Sequence, residues 1–284
     1  MKLDRNYIKE QLVKIKLRKG DTLLVHSQLL KVGLPEEDVF DLGKYYLDII
    51  LDIIGEKGEL VLPAFTYSYC NKKEFSPLED MSSVSELANS CIRNHIGYRT
   101  QDPLFSYVLV NPRSEEQSFS NVCFDFDNGM AGYLSFRKAK YLMIGDQIFF
   151  TLWHACEQQL RTHNRFMKKF SGTTKINGTK IHSEYYFYCR RFCDNTLRNV
   201  QELKRIVFEP LIAEGKLKQK CLGNSHLFFC SDLNVMLDSY RQSLKRDLFE
   251  LLKGPALSKN ELIKLDPEKE EIDIKRVKHK IIKL

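Results

Sequence analysis

The sequence predicts an α/β protein: a central, largely parallel sheet flanked by helices as an αβα sandwich, with an antiparallel extension from the second half. Two observations carry the sandwich. Apolar runs bounded by turn residues alternate with helix-period segments, and those runs are continuous, as in strands buried on both faces. Parallel neighbours need a crossover helix, which the alternation supplies. A third observation carries the extension: after Arg165 polar residues alternate with aromatic and β-branched ones around Asn177-Gly178, a strong hairpin signal.

Taken in order, Leu3, Ile8, Leu12, Val13, Ile15 and Leu17 lie at helical spacing until Lys19-Gly20-Asp21 breaks the pattern. TLLVHS at 22–27 reads as a buried strand. Val39 to Ile54 is helical in pattern and stops at Gly55, and Gly58 opens the apolar run LVLPAF at 60–65. Further strands are expected at Ser106–Val110 and Lys140–Ile144, and a helix over Phe149–Arg161. Beyond the hairpin, helices are expected at about 195–215 and 231–253, separated by the strand HLFFC. The domain reading is one unit over 1–256, elaborated at about 165–230, with a charged tail at 257–284 that is expected to be loosely attached.

Of the 284 residues, 43% are hydrophobic and 11% aromatic, enough for a sizeable core. No run approaches the roughly 20 apolar residues that cross a bilayer, and the N-terminus lacks an apolar signal core, so a cytoplasmic location without membrane partners is expected. The eight cysteines form no CxxC pair. Cys189 and Cys193 lie one helical turn apart with no second pair nearby, so reduced thiols and no metal are expected. A net charge of +7 favours a polyanionic partner: nucleic acid, nucleotide or coenzyme. Much of that charge sits in runs such as KLRKG, RFMKKF and KRVKHKIIK, which equally suit solvated faces.

Five segments, GDTLLVHSQLLKVGL (20–34), GELVLPAFTYSY (58–69), RTQDPLFSYVL (99–109), TLWHACEQQL (151–160) and LGNSHLFFCSDL (222–233), resemble in order and spacing the aminoglycoside 3-N-acetyltransferase family. The resemblance covers roughly residues 18–240. It implies an acyl-coenzyme A-dependent N-acyltransferase of α/β sandwich fold, without the phosphate-binding glycine loop of the commoner acetyltransferases. The family's HSSL segment stands here as His26-Ser27-Gln28-Leu29, with glutamine for the second serine.

Aminolysis of a thioester needs a neutral amine and a group that takes its proton, and histidine is the side chain whose ordinary pKa suits that task. His154 lies in the segment that matches the family's His-x-x-Glu pattern. On a helix Thr151, His154 and Glu157 share a face, so Glu157 is placed to orient the ring. Without the resemblance, a histidine beside Leu152 and Trp153 reads as a packed core residue. Asp127 aligns loosely with an acidic residue before the family's glycine-serine-proline turn, here Gly129-Met130-Ala131-Gly132. It is either a second partner for imidazole or substrate ammonium, or a solvated turn residue. Cys156 suggests an acyl-cysteine route, but residues two apart on a helix face apart, which favours direct attack by the amine.

For coenzyme A the resemblance implies a groove lined by Ser27, Thr66, Tyr67, Arg99 and Ser106. Arg99 suits either a phosphate or a structural pair with Asp102, and His26 is a candidate donor to the thioester oxyanion. The basic, aromatic tract from 162 to 198 suggests an acceptor with a pyrophosphate and a base: a nucleotide-linked (dTDP or UDP) amino sugar for a surface polysaccharide. The alternatives are an aminoglycoside acceptor, as in antibiotic resistance, and, in another class, a basic nucleic-acid-binding module, of which no recognised motif is present.

Overall fold

The computed structural model describes residues 2–113, 118–268, 271–273, 277 and 279–283. The first half alternates as expected: α1 (Arg5–Lys14), β1 (Thr22–Ser27), α2 (Leu42–Ile54), β2 (Glu59–Pro63) and α3 (Glu86–Arg93). There follow β3 (Tyr98–Arg99), β4 (Tyr107–Val110), α4 (Met130–Phe136), β5 (Lys140–Ile144) and α5 (Trp153–Leu160). The hairpin strands are β6 (Arg165–Ile176) and β7 (Thr179–Arg190). A helical stretch from Val200 to Ala213 leads to β8 (Leu217–Leu222), β9 (Ser225–Cys230), α6 (Asn234–Arg246) and α7 (Lys259–Leu265).

Seven strands form one sheet in the order β8-β9-β5-β1-β2-β4-β3. The ladders β5-β1 and β1-β2 are parallel, and the flanking ladders are antiparallel. The parallel part is therefore the three central strands. Toward one edge β8 and β9 are joined by the short turn at Gly223-Asn224, too short for a crossover.

The pleat sorts the central side chains onto two cores. Leu24, Val61, Leu109, Tyr141 and Met143 pack beneath α4, α5 and α6, whereas Leu23, Val25, Leu60, Leu62, Leu142 and Ile144 pack beneath α1, α2 and α3. Local chemistry sets the helix ends. Asp41 caps α2 by accepting from the Lys44 amide, and Gly55 at φ +67° ends it.

β6 and β7 pair over twelve residues each as a separate two-stranded sheet. Asn177 and Gly178 both have positive φ, as a type I′ turn requires. The hairpin meets the rest through backbone bridges Phe75–Thr174 and Val122–Tyr186.

The expected loose attachment of the tail is corrected by its described residues. Ser258 and Glu261 form a capping box on α7, Leu262 is fully buried, and Ile281–Lys283 pairs with Ser118–Ser120. Arg191, itself buried, donates to the Asp266 carbonyl at 3.2 Å and to Glu271 at 2.7 Å. The tail's acidic groups and carbonyls thus serve cations of the hairpin. Leu262→Ala is expected to cost about 2–4 kcal/mol in urea denaturation, the range for a truncated core leucine, whereas a loosely held tail would leave the midpoint unchanged.

Candidate active site

Helix α5 starts right after a turn that leads out of β5, on the face of the sheet covered by α4 and α6. His154 is in its first turn with the side chain about one-fifth exposed, and Glu157 one turn further is almost wholly buried. His154 Nδ1 lies 2.7 Å from Glu157 Oε2. Arg165 Nε approaches the same oxygen at 2.9 Å. The other carboxylate oxygen accepts from Arg198 and from the Tyr240 hydroxyl, each at 2.9 Å. Edges and faces of Phe124 and Phe187 wall the imidazole, with centroids 5.1 and 6.0 Å away.

These contacts set the protonation states. Burial alone would push the Glu157 carboxyl up; Arg165, Arg198 and His154 outweigh it and hold the group well below the usual carboxylate range. An ionised carboxylate only accepts, so the His154 proton sits on Nδ1, donating to Glu157, and the Nε2 lone pair is left for other work. Burial first, and Arg165 next, bring His154 down to about 4 despite the neighbouring carboxylate, so it rests neutral.

A second histidine stands on the same layer. His26, near the carboxyl end of β1, places Nε2 3.3 Å from the Thr151 hydroxyl, and burial brings it down to about 3. The next residue faces the opposite layer, as a pleat demands. Ser27 Oγ is buried without a hydrogen-bond partner among the described residues, beside a groove lined by Gln28, Leu29, Lys31 and Phe40.

Of the other expected coenzyme residues, Arg99 and Ser106 make their bonds within the chain. Arg99 donates to Ser106 Oγ at 3.0 Å and to the carbonyls of Pro77, Asp80 and Ala64, and its cation lies 5.2 Å from the Phe75 ring. It is buried, with four of its five N–H groups bonded within the chain, and the Asp102 carboxylate accepts instead from the Leu104 and Phe105 amides. Ser106, wholly buried, donates to the Ala64 carbonyl at 2.7 Å. Thr66 and Tyr67 are half-buried at the end of β2: the Thr66 hydroxyl donates to the Pro103 carbonyl, and Tyr67 has φ +55° with its ring edge-on to Phe65 and Phe105.

Asp127 is exposed on the loop before α4, in a polar cleft with Asp125, Gln158 and Arg161, and not among the groups bonded to His154. Cys156 is buried and its thiol, pushed up to about 12 by burial, donates to the Leu237 carbonyl. That fits packing and no acyl transfer.

Sequence reasoning missed Arg165, Arg198 and Tyr240. The two arginines lay inside the tract read as a site for a pyrophosphate, and all eight lysines and arginines there have partners within the chain. Arg165 and Arg198 meet Glu157, Lys168 meets Glu268, Lys169 meets Glu184, Lys175 meets Glu79, Lys180 meets Glu74, and Arg191 meets Glu271. Arg190 serves the carbonyls of Arg191 and Cys193.

No protein-family model matches the sequence, and no curated protein is similar to it in sequence. Solved structures do match. The coenzyme A complex of AAC-IIIb aligns over 90% of this chain and 100% of its own, with TM-score 0.71 at 16% identity. AAC-VIa bound to sisomicin aligns over 87% and 98%, with TM-score 0.69 at 14% identity. The YokD protein from Bacillus subtilis aligns over 86% and 99%, with TM-score 0.65 at 16% identity. At such identities the likeness is one of fold: this chain has the fold of the aminoglycoside acetyltransferases.

Two predictions follow from the geometry. Arg99→Met is expected to destabilise the protein by about 3 kcal/mol, because the Pro77 and Asp80 carbonyls and Ser106 Oγ lose their arginine donor while Ala64 keeps only Ser106, and coenzyme A affinity of the folded variant measured by calorimetry stays within twofold. His26 and His154 have folded pKa values below the unfolded 6.5, so the folded state binds fewer protons between. Their contribution is complete above pH 6.5 and is lost as pH falls toward 4 for His154 and toward 3 for His26. Stability should drop over that window by about 1.4 kcal/mol per pH unit per ring, and His154→Gln should make the slope shallower.

Proposed function

We propose that this chain is an N-acyltransferase that moves an acyl group from coenzyme A to the amine of an amino sugar, with His154 as general base. The observation that carries this is the contact of His154 Nδ1 with Glu157 on a partly exposed imidazole, which puts the ring proton on Nδ1 and leaves Nε2 to accept. The amine nitrogen attacks the thioester carbonyl, its proton passes to His154 Nε2, and the carbon–sulfur bond breaks to release the coenzyme thiolate, which takes up a proton. Glu157 holds the ring and faces the imidazolium while it lasts. The acceptor enters as free amine, because a base that rests so low does not deprotonate an alkylammonium.

For coenzyme A the groove beside Ser27 fits best: an unpartnered hydroxyl, an apolar wall of Leu29 and Phe40, and the cation of Lys31 suit a pantetheine arm and a phosphate. His26, the residue before Ser27, has its ring on the layer of α5.

Among acceptors, an aminoglycoside-type amino sugar is favoured over a nucleotide-linked one. The cations once assigned to a pyrophosphate already have partners, and a protein of the same fold is described bound to sisomicin. A nucleotide-linked amino sugar remains the second acceptor, supported by the aromatic side chains of the hairpin.

The test is thiol release from acetyl coenzyme A against sisomicin and related aminoglycosides beside dTDP- and UDP-linked amino sugars. Aminoglycoside turnover supports the first acceptor; turnover of nucleotide sugars alone overturns it. His154→Asn should lower kcat about 10²- to 10⁴-fold with coenzyme A affinity and Tm nearly intact, and retained turnover would exclude it as the base.

A further inference from the structure

We infer that Arg198 is a positioning residue: by taking one oxygen of Glu157 it leaves the other to His154 and cancels the carboxylate's charge, so that the base rests neutral. The inference rests on His154 being the base, and it gives the basic tract beyond the hairpin a job at the site.

The geometry is specific. Arg198 is held on three sides: its terminal nitrogen donates to Glu157 Oε1 at 2.9 Å and to the Tyr240 hydroxyl at 3.1 Å, and its cation lies 4.1 Å from the ring of Trp153, the residue just before His154. Its backbone is tied to Leu252 by an isolated bridge. Arg165, anchored at the first residue of β6, also donates to the Tyr188 carbonyl at 3.0 Å while it meets Glu157 Oε2.

Charge counting gives the consequence. The groups facing the imidazole are Glu157 from its own helix, Arg165 from β6, Arg198 from beyond the hairpin and, through Glu157, Tyr240 of α6; the loop before α4 and strand β7 present only the rings of Phe124 and Phe187. With a neutral imidazole the cluster carries one net positive charge, and protonating His154 would make it two in a buried place. A histidine–carboxylate pair without the arginines would carry no net charge when protonated and would favour the imidazolium. Two guanidiniums thus convert the carboxylate from a charge that holds a proton on the ring into a lever that only aims it. Arg198 is the one of the pair whose removal leaves the strand anchor intact.

The experiment is a histidine NMR titration of His154 beside the pH profile of kcat/KM, in the wild type, Arg198→Met and Arg198→Lys. Methionine keeps the apolar contact over Trp153 without the charge, and lysine keeps the charge. In Arg198→Met the His154 midpoint should rise and the acid limb of kcat/KM should move up with it; a rise of about one pH unit lowers kcat/KM at pH 5 about twofold relative to wild type. Arg198→Lys should restore the wild-type midpoint. A midpoint unmoved in Arg198→Met, with only a lower Tm, overturns the inference and makes Arg198 a packing residue. If no amine is turned over, the proposed activity fails, while the NMR midpoint still decides the role of Arg198.

Discussion

The structure around the candidate site is organised by one requirement: the carboxylate of Glu157 is buried and must stay ionised. An isolated carboxylate in such a place costs several kcal/mol and would simply take up a proton. Here four groups from four segments converge on its two oxygens: His154 from the same helix, Arg165 from the start of the hairpin, Arg198 from beyond it, and Tyr240 from a helix 83 residues away. The hairpin is therefore more than a surface elaboration. Its first residue and the segment just past its end bring in both cations, and its strand β7 supplies Phe187 against the imidazole.

Much of the architecture was legible because it rests on local periodicity. The apolar runs at 22–27 and 60–65, the helix ending at Gly55 and the Asn177-Gly178 turn all appear as read, each for the reason that made it readable. Strand direction was less so, since hydropathy does not say which way a neighbour runs; only the three central strands are parallel. The tail misled because charge was taken as a mark of solvation, whereas the Glu271 carboxylate pairs with a buried Arg191 and the Asp266 carboxylate accepts from the Phe192 amide.

Within the site, the contact between His154 and Glu157 follows from helical spacing alone, three residues apart on one face. Arg99 illustrates the opposite case. A buried arginine that serves three carbonyls carries no sequence signature to distinguish it from one that binds phosphate, because its partners are backbone atoms. The pairing of Arg198 with Glu157 spans 41 residues and was equally invisible. Net charge suffers from the same blindness: +7 over the chain says little about a tract in which every cation already has a partner.

The claim on which the rest turns is that His154 rests as a neutral ring with its proton on Nδ1 and an unprotonated Nε2. Nitrogen-15 NMR of histidine-labelled protein at pH 7 reads this directly. The account predicts a neutral His154 with a protonated Nδ1 bonded to Glu157; an imidazolium, or a proton on Nε2, would contradict it.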